Sequence, residues 1–151
     1  MERRIINPWT WQDAYGFVQG HEITGGQRVL YCAGQASTDD GRPVHAGDMG
    51  AQVRQSLDNL ETVLKAADLD LSHVVRINIF TTDVDLFLAS FHLAIERFTQ
   101  AGCRPASTLL GVTRLAFPEL LVEIEATAVA GGEGGYQRTA ISGHIAGGGH
   151  R

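Results

Sequence analysis

The chain has 151 residues, of which 44% are hydrophobic and 19% charged, with a formal net charge of −5 at pH 7. That length and composition suit one domain with enough apolar material for a core. The acidic balance, with no Lys/Arg-rich run, argues against a nucleic-acid surface, and no stretch reaches the roughly 20 apolar residues of a membrane span.

Met1 to Pro8 carries Arg3 and Arg4 with no long apolar run behind them, so no targeting segment is expected. Two cysteines, Cys32 and Cys103, are too few for a disulfide framework. A cytoplasmic protein with free, buried thiols follows as the expectation.

Residues 17–23 read as a strand, Thr24-Gly25-Gly26-Gln27 as a turn and residues 28–33 as a second strand, which together predict a β-hairpin. Residues 34–47 have loop chemistry, centred on Asp39-Asp40-Gly41-Arg42-Pro43. Asp48 then suits a helix N-cap. Val53, Leu57, Leu60, Val63, Leu64 and Ala67 form one apolar stripe, and Arg54, Asp58, Glu61 and Lys65 take the wet side, with Asp58 and Glu61 placed to pair with Lys65.

Residues 74–80 predict a third strand. Asp83 or Asp85 can cap a second helix whose apolar positions Leu88, Phe91, Ile95 and Phe98 step by three and four, and Gly102 is its stop. Residues 106–112 and 120–130 complete the set as strands. The order is ββαβαββ, an α+β sheet with two helices. From Gly131 the chain turns glycine-rich, so residues 1–130 read as one domain and 131–151 as a tail.

The last strand alternates. Val122, Ile124, Ala126 and Ala128 fall on one face, and Glu123, Glu125 and Thr127 on the other, which sets the two carboxylates about 7 Å apart. Such a face is a solvated sheet surface unless another chain covers it. If covered, a carboxylate there can serve as an acid or base. Ser107 and Thr108 either simply begin a strand or offer two hydroxyls to the polar end of a ligand. The six histidines show no ligand spacing, and neither a Gly-x-Ser-x-Gly elbow nor a phosphate loop is present, so no metal and no cofactor is expected.

Several segments together resemble the YjgF/RidA family of reactive intermediate deaminases over nearly all of residues 10–130. They are Tyr15-Gly16-Phe17-Val18-Gln19, Ala33-Gly34-Gln35, the helix run from Gln52 to Leu60, Ile79-Phe80-Thr81-Thr82-Asp83, Val112-Thr113-Arg114-Leu115 and Val122-Glu123-Ile124-Glu125-Ala126. The resemblance implies a chorismate-mutase-like homotrimer with clefts between subunits, hydrolysis of imines and enamines, and a small-molecule ligand. It implies that Glu123 positions or activates water.

The family usually writes Pro-Ala-Arg-Ser-Cys, with the arginine as a bidentate anchor for a substrate carboxylate. This chain has Pro105-Ala106-Ser107-Thr108-Leu109. Ser107 stands at the anchor and Leu109 at the cysteine. Phe17 stands where a pocket tyrosine is usual, with Tyr15 two residues earlier, and Phe91 where some members have asparagine. The chain is thus similar to the branch that lacks the arginine. A ligand without a carboxylate is implied, held by Ser107, Thr108 and nearby amides and walled by Phe17, Tyr15, Phe91 and Leu109. Arg104 can reach the same pocket from the preceding loop, whereas Arg114 reads as structural. The rival reading is a non-catalytic ligand-binding trimer. Ribonuclease activity, also ascribed to the family, sits poorly with the acidic charge.

Overall fold

The computed structural model describes residues 1–131 apart from Gly26. A four-stranded sheet forms the centre, built from β3 (Gln27–Ala36), β6 (Val74–Thr81), β7 (Ala106–Gly111) and β8 (Val122–Gly131) in the order β3-β8-β6-β7. β8 is antiparallel to both of its neighbours, and β6 runs parallel to β7. Helices α1 (Met49–Ala66) and α2 (Val84–Gln100) pack against the sheet, and α2 makes the crossover that a parallel β6–β7 pair requires. The α+β architecture with two helices is as the sequence implied.

The helices begin where their caps dictate. Asp48 accepts a hydrogen bond from the Ala51 amide at 3.0 Å, and Asp83, rather than Asp85, accepts one from Leu86 at 3.0 Å. Beyond α2, Gly102 takes φ of 70°, the left-handed conformation that ends a helix at little cost. The apolar stripe of α1 (Val53, Leu57, Leu60 and Leu64) is fully buried in one core with Ile79, Val122, Ile124 and Ala128. Asp58 and Glu61 do not pair with Lys65. Both bind Arg97 of α2, at 2.6 and 2.9 Å, because the helices lie side by side.

The predicted N-terminal hairpin does not form. β2 (Gly20–Thr24) pairs with β1 (Glu2–Ile6), an unanticipated strand, while β3 pairs with β8. β2 takes β1 as its ladder partner over all five residues. β1 carries little sequence signal because its charged residues break the apolar alternation, although Arg3 is buried and donates to the Ser72 carbonyl at 3.1 Å. In the expected loop, β3 continues to Ala36. The short strands β4 (Thr38–Asp39) and β5 (Arg42–Pro43) then pair around Asp40 and Gly41, whose φ values of 48° and 76° suit a tight hairpin turn. The glycine-rich segment read as a tail lies, from residue 132 onward, outside the described residues.

Candidate functional site

Strand alternation gives the sheet two unlike faces. Val122, Ile124, Ala126 and Ala128 are buried under the helices, and Glu123, Glu125 and Thr127 are half-buried on the other side. That open face is a polar ladder. Arg76 donates to the Thr108 hydroxyl at 2.6 Å, and Asn78 donates to Glu125 at 2.9 Å. A concavity of about 160 Å³ lies on this face, bordered by Arg76, Asn78, Glu125 and the exposed Tyr31.

Glu123 is on the same face, opposite Phe80 of β6 and Ala36 of β3. The register of β3 against β8 slips between Cys32 and Gln35, and Gly34 lies in that slip. The Glu123 side chain runs directly over Gly34, in the space a Cβ would fill.

A larger cavity, of about 350 Å³, opens beside β7 on the helix side. The segment before β2 supplies Trp11, Tyr15 and Phe17. Helix α2 supplies Phe87, Leu88 and Phe91, and the strands supply Ile79, Ser107 and Leu109. Trp11 sits edge-on to Phe17 at 5.7 Å and to Tyr15 at 6.4 Å, and Phe87 lies 5.7 Å from Phe91. No charged side chain lines the cavity among the described residues, and Ser107 holds its one aliphatic hydroxyl.

Five of the residues singled out in the sequence therefore meet here: Tyr15, Phe17, Phe91, Ser107 and Leu109. Two others need correction. Thr108 does not join Ser107, because consecutive strand residues point to opposite faces. Ser107 registers with the buried Ile77, and Thr108 with Asn78 on the open face. Arg104 does not line the cavity. Its guanidinium binds the Asp13 carboxylate and the Phe17 carbonyl, the latter at 2.8 Å. Arg114, read as structural, is exposed after β7 and forms no ion pair among the described residues.

Within one chain, Glu123 and the cavity lie on opposite faces of the sheet. Sequence reasoning missed Trp11, Phe87 and Leu88 as lining residues. The available signal was the aromatic spacing Trp11, Tyr15, Phe17 in a segment otherwise rich in polar residues.

Neither thiol is a nucleophile in waiting. Burial pushes the Cys103 pKa up to about 12, and burial also raises that of Cys32. Among the described residues no cluster of three His, Cys, Asp or Glu could hold a metal ion, and no helix is long and apolar enough to cross a membrane.

The sequence profile described as endoribonuclease L-PSP matches residues 14–130. A Salmonella typhimurium protein named 2-iminobutanoate/2-iminopropanoate deaminase is 34% identical over 115 residues, covering 75% of this chain and 86% of that protein. The mitochondrial protein mmf1 of Schizosaccharomyces pombe is 33% identical over 102 residues, and the match spans 68% of this chain but 61% of that protein. Among solved structures, the Rid-family protein YyfB from Yersinia pestis, described as of unknown function, is 38% identical with a TM-score of 0.76, covering 85% of this chain and 98% of that one. The YjgF product of Escherichia coli is 31% identical with a TM-score of 0.60, covering 75% and 87%. With a profile match along most of its length and relatives above 30% identity, the chain belongs to the YjgF/RidA family, the group whose profile is described as endoribonuclease L-PSP.

Proposed function

We propose that the protein hydrolyses small imines or enamines that carry no carboxylate, in a cleft completed by a second copy of the chain in a homotrimer. The observation that carries this reading is the lining of the β7 cavity, which is aromatic and aliphatic with a single aliphatic hydroxyl, Ser107, and no cation. A mostly apolar site with a few polar groups, here the Ser107 hydroxyl with the polar tips of Tyr15 and Trp11, orients a neutral ligand. Its lining holds no cation to offset the desolvation of a carboxylate.

In the reaction, water adds to the carbon of the C=N bond, that bond breaks and ammonia leaves. One imine and one water thus become one carbonyl compound and one ammonia. Glu123 of a neighbouring copy takes the proton from the attacking water and returns one to the departing nitrogen. Ser107 holds the polar end of the substrate, and Phe17, Tyr15, Phe91 and Leu109 shape the wall. The deaminase names of relatives above 30% identity support the reaction class. The absent anchoring cation separates the substrate from theirs.

The test is ammonia release from neutral imines made in situ by an amine oxidase, compared with 2-iminopropanoate, for the natural protein and Glu123→Gln. Acceleration of the neutral imines, lost in Glu123→Gln, is the expected result. No acceleration of any imine, or an undiminished Glu123→Gln, overturns it. The position of Glu123 on the far face of its own sheet favours one second reading, a ligand-binding trimer without chemistry, which predicts ligand binding with no turnover.

A further inference from the structure

One wall of the cavity is not part of the sheet or the helices. Trp11, Tyr15 and Phe17 come from a short segment between β1 and β2 that contains a five-residue 3-10 helix, Trp11–Tyr15. Five residues of 3-10 helix have little stability of their own. The segment must therefore be held from outside.

The hold is concentrated at Arg104 and Pro105, just before β7. The Arg104 guanidinium reaches Asp13 within the 3-10 helix and donates to the carbonyl of Phe17 beyond it. The Arg104 side chain is only 10% exposed, whereas Asp13 is 52% exposed, so solvent screens the pair from the Asp13 side. The Pro105 carbonyl accepts from the Val18 amide at 3.1 Å, and the Arg104 carbonyl accepts from the His21 ring at 2.9 Å. These bonds tie the aromatic wall to the chain leading into the strand that carries Ser107 and Leu109.

We propose that Arg104 and Asp13 are positioning residues: their pair fixes the spacing between the Trp11–Tyr15–Phe17 wall and Ser107, and so sets how tightly the cavity grips an apolar ligand. Neither residue touches the ligand. The role rests on the cavity being the ligand site, as proposed above, but the position of the wall can be read without any substrate. The chain has two tryptophans, Trp9 and Trp11, of which Trp11 lines the cavity, so with Trp9→Phe in every preparation the intrinsic emission reports the wall.

The experiment compares the full chain with Asp13→Asn, Arg104→Gln, Arg104→Lys and the Asp13→Asn/Arg104→Gln double variant. Three quantities are read: acrylamide quenching of tryptophan, binding of the neutral fluorescent probe N-phenyl-1-naphthylamine, and thermal melting. Trp11 is already 58% exposed, so the expected result is a measurable rise in quenching, less than twofold, and roughly tenfold weaker probe binding in Asp13→Asn and in Arg104→Gln. The double variant should be no worse than either single one, because residues in one contact couple rather than add. A single guanidinium nitrogen, Nη2, binds both Asp13 and the Phe17 carbonyl, so Arg104→Lys, which keeps the charge on a shorter and differently shaped side chain, should fall between. Unchanged quenching in both single variants overturns the proposal. So does additive loss, or a loss of binding that merely tracks the fall in melting temperature. Failure of the hydrolytic reading would look different: altered quenching in these variants alongside an absence of imine turnover in the natural protein.

Discussion

The carboxylate of Glu123 occupies the space above Gly34 where any other residue would carry its Cβ. The two come from neighbouring strands, β8 and β3, and meet where the β3 register slips. Glycine is required there for close approach, not for an unusual backbone angle. Gly34→Ala should push Glu123 aside while leaving the helix-side core intact. The expected outcome is at least a tenfold loss in kcat/KM for imine hydrolysis, with the melting temperature lowered by only a few degrees. Steady-state assays and thermal melts on the same preparation check both halves.

Ser107→Arg places a cation in the otherwise uncharged lining of the cavity. The substitution should raise hydrolysis of 2-iminopropanoate at least tenfold and lower that of neutral imines. Charge in an apolar site costs stability, so a fall in melting temperature is part of the prediction. Competing the two substrate classes in one assay reads the exchange directly.

Acid should destabilise the fold through His21. Its ring donates through Nε2 to the Arg104 carbonyl, and its Nδ1 is enclosed without a partner. Burial, with a smaller push from Arg3, lowers its pKa to about 4, against an ordinary value of 6.5. The folded protein refuses a proton that the unfolded chain accepts between those values. The stabilisation is therefore complete above pH 6.5 and is lost as pH falls toward 4. The loss is roughly 2–3 kcal/mol at pH 4.5. His73, also lowered chiefly by burial, acts in the same direction. Urea unfolding at pH 7 and pH 4.5 should show a smaller loss for His21→Asn than for the natural protein. Equal losses would count against this account.

Leu60 is fully buried where α1 meets the sheet. Leu60→Ala should cost about 2–5 kcal/mol, the usual range for a core leucine whose surroundings cannot collapse fully. Chemical denaturation measures it.

Both helices were legible because a stripe at three- and four-residue steps has one physical meaning, and Asp48, Asp83 and Gly102 mark their limits. The two faces of β8 were legible from strict alternation. The pairing of β2 with β1 was not, since the charged residues of β1 break the apolar alternation that would have marked it as a strand. The side-by-side use of Ser107 and Thr108 failed on a rule the sequence already contained: adjacent strand residues cannot face one ligand from the same side. Arg104 was misjudged for a different reason. Its partners, Asp13 and the Phe17 carbonyl, lie 91 and 87 residues away along the chain, and nothing local signals them.

β8 is the last strand among the described residues, yet it sits in the interior of the sheet, bonded to β3 on one side and β6 on the other. Until it is made, β3 and β6 have no partner for those edges. During synthesis the growing chain thus displays two unpaired strand edges and the apolar underside of both helices, and the sheet closes only when residues 122–131 emerge. Pairings such as Gln27 with Gly131 span almost the whole domain. Assembly should accordingly be slow for a protein of this size, with its greatest exposure to self-association falling just before β8 is added.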